Sequence, residues 1–452
     1  MRSLSSSDSS SPSTRSGLWL IVFVAFSVRV LLGFLSHWFD SVHPVRTFVG
    51  QEADYIAYSL SIGKGFSNPF PGYDRPTAWL APVFPVLWSV GFKLFDPFKS
   101  QGHIYFCQAL NCACAALTCI PIYRLRNRCC NARVAAIAAW AWAFLPLAIL
   151  FPLEWAWDQS VSALLVVWLL AWTYSLRDSP ARSWEWPAYG VLWGVAALTN
   201  PSLCVMLPFF VGWMWFERAK RRARSLLPFV TALALFLIAL VPWTVRNQRI
   251  FGHVFFVKSN FGLELWLGNN DQVKDVFTGW LHPIADRNEL RQLNDLGEYA
   301  YMKKKQQEST AFIRSNPKAF AEHTALRVID TWVGPYYFRD DPWTRSLGLN
   351  APFIVFTGLF SLAAIAGMIL ACRKGLMEFL PMTLCVLVFP IPYYLTHPSL
   401  RYRHPIDPVL TIFAVICILT LLRKEVPTQN RNQKRQHTTE MSGNLREGRQ
   451  AG

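Results

Sequence analysis

Charge is what this chain has least of: 16% of its 452 residues are Asp, Glu, Lys or Arg, against about 25% in soluble domains. With 52% hydrophobic residues and repeated apolar stretches of roughly 18 to 22 residues, that deficit excludes an ordinary soluble globule and places the chain in a bilayer. Cysteines in outer loops are also missing. Of the ten cysteines, Cys107, Cys112, Cys114, Cys119, Cys204, Cys372, Cys385 and Cys417 fall in or at the ends of apolar runs, and Cys129 and Cys130 in a basic loop. No external disulfide is expected, and neither Cys112-Ala113-Cys114 nor Cys129-Cys130 has the clustered partner ligands of a zinc site. Gly63-Lys64-Gly65-Phe66 follows no strand and lacks the Lys-Ser/Thr of a nucleotide loop, so it reads as a turn. Nor is there a basic stripe interleaved with aromatics. The net charge of +16 therefore does not signal nucleic-acid binding.

Much of that positive charge sits in short clusters at the ends of apolar runs, as cytoplasmic loops do under the positive-inside rule. The clusters 124–128, 177–182, 218–224, 373–374 and 423–424 all face the same side if the apolar run 78–97 does not cross. That run carries Pro82 and Pro85, which suit a broken or interfacial helix. The expected fold is an all-α integral membrane protein with about ten transmembrane helices. An interfacial helix lies in its first outer loop, and a small helical segment outside. Both termini would be cytoplasmic.

The organisation that follows has five parts. Residues 1–16 form a disordered cytoplasmic N-terminus, Ser-rich and unlike a signal peptide. Residues 17–243 form an N-terminal transmembrane catalytic module that includes a first outer loop over 40–101. An outer segment spans 244–349, with helical composition in 288–314 and 317–332 and a break at Asn316-Pro317. C-terminal transmembrane helices occupy 350–422, and 423–452 is a solvated cytoplasmic tail.

Chemistry is sought among polar groups at the outer rim. Glu52 and Asp54, in Gln51-Glu52-Ala53-Asp54-Tyr55, stand near the start of a helical stretch. They are candidates for a general base or electrostatic stabiliser at an acceptor hydroxyl, although carboxylates there also complement a helix dipole. Arg401 and Arg403, around Tyr402 in the loop between the last two spans, break the charge rule that organises the rest of the chain. Arginine forks at a membrane surface suit a lipid phosphate. Arg246, where a span emerges, either joins that site or snorkels. Tyr55, Glu154, Asp158 and Tyr402 are possible cavity-lining groups, although topping a helix N-terminus equally explains Glu154 and Asp158. His397 and His404 read as hydrogen-bonding or capping residues, and Arg29 as facing protein or the outer interface rather than lipid.

Over about residues 17–422 the chain resembles membrane glycosyltransferases of the GT-C superfold, in the bacterial branch related to protein mannosyltransferases and aminoarabinose transferases (glycosyltransferase family 39-like). The resemblance rests on the acidic stretch 52–60, Gly63-Lys64-Gly65-Phe66-Ser67-Asn68-Pro69-Phe70, residues 76–85 and 242–247, Gly262-Leu263-Glu264-Leu265-Trp266-Leu267-Gly268-Asn269, and Arg401-Tyr402-Arg403. It implies an essential acid in the first outer loop, interfacial helices around it, and a polyprenyl-phosphate sugar donor held by basic residues. Where many relatives carry Asp-Glu this chain has Gln51-Glu52, so the acidic role passes to Glu52, with Asp54 behind it, and a divalent metal is left open.

The expected activity is sugar transfer from a polyprenyl-phosphate donor to a hydroxyl of a glycan, lipid or protein acceptor. It would take place at the outer face of a bacterial inner membrane, with membrane lipids as partners. The alternatives are a transporter or flippase of lipid-linked saccharides and a structural subunit. A transporter tends to show internal repeats and ionisable groups at mid-membrane depth, and neither is seen. A structural subunit leaves the outward arginines unexplained.

Overall fold

A proline at the first helical position has no N–H to lose, and the first helix, α1 (Pro12–Leu35), opens on one. The computed structural model describes residues 12–35, 52–126, 128–154, 157–274, 276–334 and 350–422. The expectations for residues 1–11, for Gln51 and the earlier part of the first outer loop, for the end of the outer segment and for the tail fall outside those residues. Among the described residues the structure is helical, with no strand and only isolated bridges such as Ser67 with Pro76.

Helix α2 (Glu52–Ser61) is followed by an irregular loop and by α3 (Val83–Leu94). At 12 residues, α3 is about 18 Å long against a hydrocarbon core of about 30 Å. Phe84, Trp88 and Phe92 are buried on one side, while Val86, Leu87, Val90 and Leu94 are exposed on the other. That length and two-sided burial are what the expected interfacial helix requires. The bundle continues through α4 (Gly102–Arg124), α5 (Ala132–Phe144), α6 (Pro146–Glu154) and α7 (Gln159–Leu176). Next come α8 (Glu185–Thr199), a 3-10 turn (Pro201–Met206), α9 (Leu207–Lys220) and α10 (Leu227–Phe251). The following segment folds as α11 (Phe261–Gly268), α12 (Arg287–Leu296), α13 (Glu298–Ser315) and α14 (Pro317–Val333). The long α15 (Asn350–Val388), the short α16 (Ile391–Leu395) and α17 (Leu400–Leu421) complete the chain.

By length and composition, six of the described helices can cross a membrane, or seven if α5 and α6, bent by 43°, make one span. The difference from about ten has identifiable sources. Helices α8 and α9 have 15 and 14 residues, short of the roughly 20 that a span needs. The stretch 352–395 enters the count of six once, although Gly375 leaves helical geometry and Cys372 Sγ stands 3.3 Å from Thr383 Oγ1, so its two halves fold back on each other.

Two buried arginines hold backbone breaks together. Arg29, fully buried in α1, donates to the carbonyls of Ala148 (2.8 Å), Ala143 (3.2 Å) and Trp142 (3.2 Å). Those carbonyls flank the α5–α6 bend and lack the intrahelical partners a straight helix would supply. Arg327 of α14, equally buried, donates to Val276 O (3.1 Å), Leu395 O (3.2 Å) and Gly268 O, tying the segment after α10 to the end of α16.

Close helix contact sets one sequence requirement. A Cβ on Gly367 would stand 1.8 Å from Phe413 O, backbone of α17 that cannot turn aside. Gly367→Ala is expected to separate α15 from α17 and cost about 1–3 kcal/mol, read as a lowered melting temperature of the full chain in detergent.

Candidate active site

At one end of the bundle the first loop, α7, α11, the turn after it and the 392–405 segment enclose a cleft of about 690 Å³. Glu298 of α13 braces the cleft from behind its lining. Its carboxylate accepts from Thr77 Oγ1 (2.6 Å), Ala78 N (2.8 Å) and Ser259 Oγ (2.6 Å), locking the first loop to the later segment. Burial pushes the Glu298 carboxyl up, against the pull of these donors. Arg246 works on the same joint, donating to Thr77 O (2.7 Å) and Phe66 O (2.8 Å) with its guanidinium 4.8 Å from the Trp243 ring centroid.

Glu52 is the first residue of α2, where the helix dipole favours a carboxylate, and its side chain faces the cleft. Only 6% exposed, it has one oxygen, Oε1, 3.4 Å from His282 Nε2. The other, Oε2, is enclosed and takes no hydrogen bond among the described residues. His282 Nδ1 accepts from Ile284 N at 3.2 Å. With Nδ1 engaged as acceptor, the neutral ring carries its proton on Nε2, toward Glu52. Edge contacts with Trp79 (5.4 Å) and Phe70 (6.0 Å) hold that ring in place.

A second carboxylate–imidazole pair lies across the cleft. Glu264 Oε2 is 2.6 Å from His397 Nε2, and Oε1 accepts from Asn260 Nδ2 at 2.7 Å. Burial pushes the Glu264 carboxyl up, but the His397 hydrogen bond and the charges of His397 and Lys258 outweigh it and hold it down at about 2. His397 stacks on Phe277 at 5.0 Å. The wall behind is tight: a Cβ on Gly268 would lie 1.8 Å from Thr396 O.

The cations of the cleft are Arg401 and Lys258. Arg401 donates to Tyr402 OH (3.0 Å), and its guanidinium lies 4.9 Å from the Trp157 ring, within electrostatic reach of both Glu52 and Glu264. Tyr402 stacks on Tyr393 at 4.8 Å. Lys258 is half-buried and makes no ion pair or hydrogen bond among the described residues. Asp158 lines the cleft as the N-cap of α7 and accepts from Ser162 Oγ at 2.8 Å, while burial pushes its carboxyl up.

Of the residues singled out from sequence, Glu52, Asp158, His397, Arg401 and Tyr402 therefore share one cleft. The others stand apart from its lining. Asp54 is fully buried on another face of α2, and Tyr55 and Glu154 are half-buried outside the cleft. Arg246 serves the loop joint. Arg403 is 1% exposed, bonded to Asp407 (3.0 Å), Ser361 Oγ (2.9 Å) and the carbonyls of Thr331 and Trp332 (both 3.2 Å). His404 shares Asp407 at 3.1 Å. Sequence reasoning passed over Lys258 and His282 and gave His397 only a generic bonding role. A lone Lys or His in a mixed-charge segment carries no signal until the chain closes around it. Among the described residues no three His, Cys, Asp or Glu side chains converge as a metal-ligand set.

Residues 74–245 match the family model of dolichyl-phosphate-mannose-protein mannosyltransferases. No curated protein sequence matches the chain. Among solved structures, the chain is similar to the archaeal oligosaccharyltransferase AglB from Archaeoglobus fulgidus in complex with an inhibitory peptide and a dolichol-phosphate. The identity is 15%, over 91% of this chain and 51% of that one, with a TM-score of 0.53. The same organism's oligosaccharyltransferase tethered to an acceptor peptide matches at 14% identity, over 91% and 50% of the two chains, with a TM-score of 0.53. ArnT from Cupriavidus metallidurans, bound to undecaprenyl phosphate, matches at 15% identity over 90% and 78%. Its TM-score of 0.36 is too low to bear on the fold. The chain spans about half the length of the oligosaccharyltransferases it matches. At these identities the likeness establishes the fold alone, that of the membrane portion shared with the archaeal oligosaccharyltransferases.

Proposed function

We propose that the chain is a membrane glycosyltransferase that moves a sugar from a polyprenyl-phosphate donor to an acceptor hydroxyl, in a cleft opening on the outer face of a bacterial inner membrane. The observation that carries this reading is the company Glu52 keeps. A buried carboxylate with an unengaged oxygen shares one cleft with Arg401, Lys258 and apolar walls. Phe256 and Phe261, about half exposed at 50% and 51%, line the same cleft and suit the first isoprene units of a lipid tail.

In the step proposed, the acceptor oxygen forms a bond to the anomeric carbon and passes its proton to Glu52. The bond from that carbon to the phosphate oxygen breaks, and the electron pair leaves with the lipid phosphate. Positive charge builds on the sugar ring as in other glycosyl transfers. Arg401, whose planar fork suits phosphate, and Lys258 neutralise the departing group. Arg403 and Arg246, already committed to protein partners, would support the cleft from behind.

His282 would hold the Glu52 carboxylate in one orientation and leave Oε2 for the acceptor. His282→Ala is expected to lower kcat by about ten- to a hundredfold with KM for the donor nearly unchanged, since the loss falls on alignment rather than phosphate binding. An equal loss in donor affinity would remove His282 from this role. The reading as a whole is tested in proteoliposomes with radiolabelled polyprenyl-phosphate sugars. Label arriving on an acceptor with stoichiometric release of polyprenyl phosphate supports it. Movement of intact labelled lipid between leaflets without release would make the protein a transporter.

A further inference from the structure

The 18-residue helix α7 separates the cleft from a second concave site about 27 Å away. Asp158 and Gln159 line the cleft at its N-terminal end. Arg177 and Asp178 line the other site, where the loop after α7 meets the loop after α9. Five arginines converge there, Arg177, Arg218, Arg221, Arg222 and Arg224, around the single carboxylate of Asp178.

Four features distinguish this basin from scattered surface charge. Arg218 is 3% exposed and donates to Leu176 O (3.3 Å) and Ser179 O (2.7 Å), so it shapes the α7 loop rather than floating in solvent. Asp178 is already divided between Arg177 (3.3 Å) and Arg221, with Arg128 at 4.0 Å, and cannot neutralise the remainder. The Nε atoms of Arg177 and Arg218 are enclosed and donate to nothing among the described residues. Finally, α9 ends in a turn that places Arg222 at φ 61°, with Ala223 N bonded to Arg218 O at 2.9 Å. That position ordinarily goes to glycine or asparagine. Here a strained turn position presents a guanidinium beside four others.

We propose that this basin binds a phosphate group, carried by an anionic lipid headgroup or free in solution, at the end of the bundle opposite the cleft. Guanidinium forks converging on one concavity match phosphate oxygens in pairs, and a bound anion would relieve the repulsion among them. The site is independent of the transfer reaction proposed above.

The test is native mass spectrometry of the full chain in detergent with phosphatidylglycerol, with phosphatidylcholine of the same acyl chains, and with inorganic phosphate. Wild type is expected to retain phosphatidylglycerol at least fivefold over phosphatidylcholine, and the triple variant Arg221→Gln/Arg222→Gly/Arg224→Gln to lose that preference. The triple variant spares Arg177 and Arg218, and replacing Arg222 by Gly suits its turn, so the fold should survive. An unchanged melting temperature checks this. Retention of inorganic phosphate, lost in the same variant, with no lipid preference, assigns the site to a soluble phosphate. Two controls separate the basin from other cations: Lys258→Gln/Arg401→Gln in the cleft, and Arg373→Gln/Lys374→Gln, an exposed pair in another basic cluster. Neither should change retention. Equal loss in either control, no lipid preference and no phosphate retention in wild type, or full retention in the triple variant would overturn the proposal.

Discussion

Glu52→Gln is expected to lower the rate of transfer by about 10²–10⁴-fold, with donor affinity within a factor of two of wild type. Glutamine keeps the size of the side chain and one oxygen, so the edge of α2 and the packing around Trp79 and His282 should stand. What it removes is the capacity to take a proton from the acceptor. Glu52 has one oxygen toward His282 and one with no partner. Burial at 6% exposure leaves little water to substitute for the lost base. Asp54→Asn is the matched control. It lies on another face of α2, fully buried and outside the cleft lining, so it should act on stability rather than on the chemical step. Residual transfer above a tenth of wild type in Glu52→Gln would remove Glu52 from the role of base.

The second large effect separates two arginines only two positions apart. Arg401→Gln is expected to cut kcat/KM for the donor by about 10²–10³-fold, because it withdraws a fork from the leaving phosphate in a site largely closed to water. Its contacts include a hydrogen bond to Tyr402 and the aromatic faces of Trp157 and Tyr402, and donor binding should fall much further than stability. Arg403→Gln should do the reverse. It leaves Asp407, fully buried, without its guanidinium partner, and breaking a buried pair in this way costs about 3–5 kcal/mol. The expected readout is loss of folded protein in detergent, with normal donor affinity in whatever folded fraction survives. A thermally unperturbed Arg403→Gln with weakened donor binding would exchange the two roles.

The bilayer class, the helical fold and the short α3 were legible because they depend on composition, hydrophobic run length and proline placement, all local properties. Arg401 and Arg403 were legible as a pair because both break the charge pattern of the flanking loops. Which of them faces the cleft was not legible. That depends on one turn of helix against Trp332 and Ser361, more than 40 residues away. Lys258, His282 and the Glu264–His397 pair were hidden for the same reason: each becomes part of a site only when the segment after α10 folds back over the first loop through Glu298. The number of spans was legible only in part. Runs of suitable hydropathy separate the two halves of α15 on either side of Gly375, but they do not reveal that α8 and α9 stop short.

The most direct test of the account is a structure of the full-length protein with polyprenyl phosphate bound. The phosphate is predicted to lie within hydrogen-bonding distance of the Arg401 guanidinium and the Lys258 ammonium. The isoprenoid chain should leave past Phe256 and Phe261, and Glu52 Oε2 should face the open side where sugar and acceptor would meet. A phosphate seated instead against Arg246 or Arg403, or in the arginine basin at the far end of α7 with the cleft unoccupied, would contradict it.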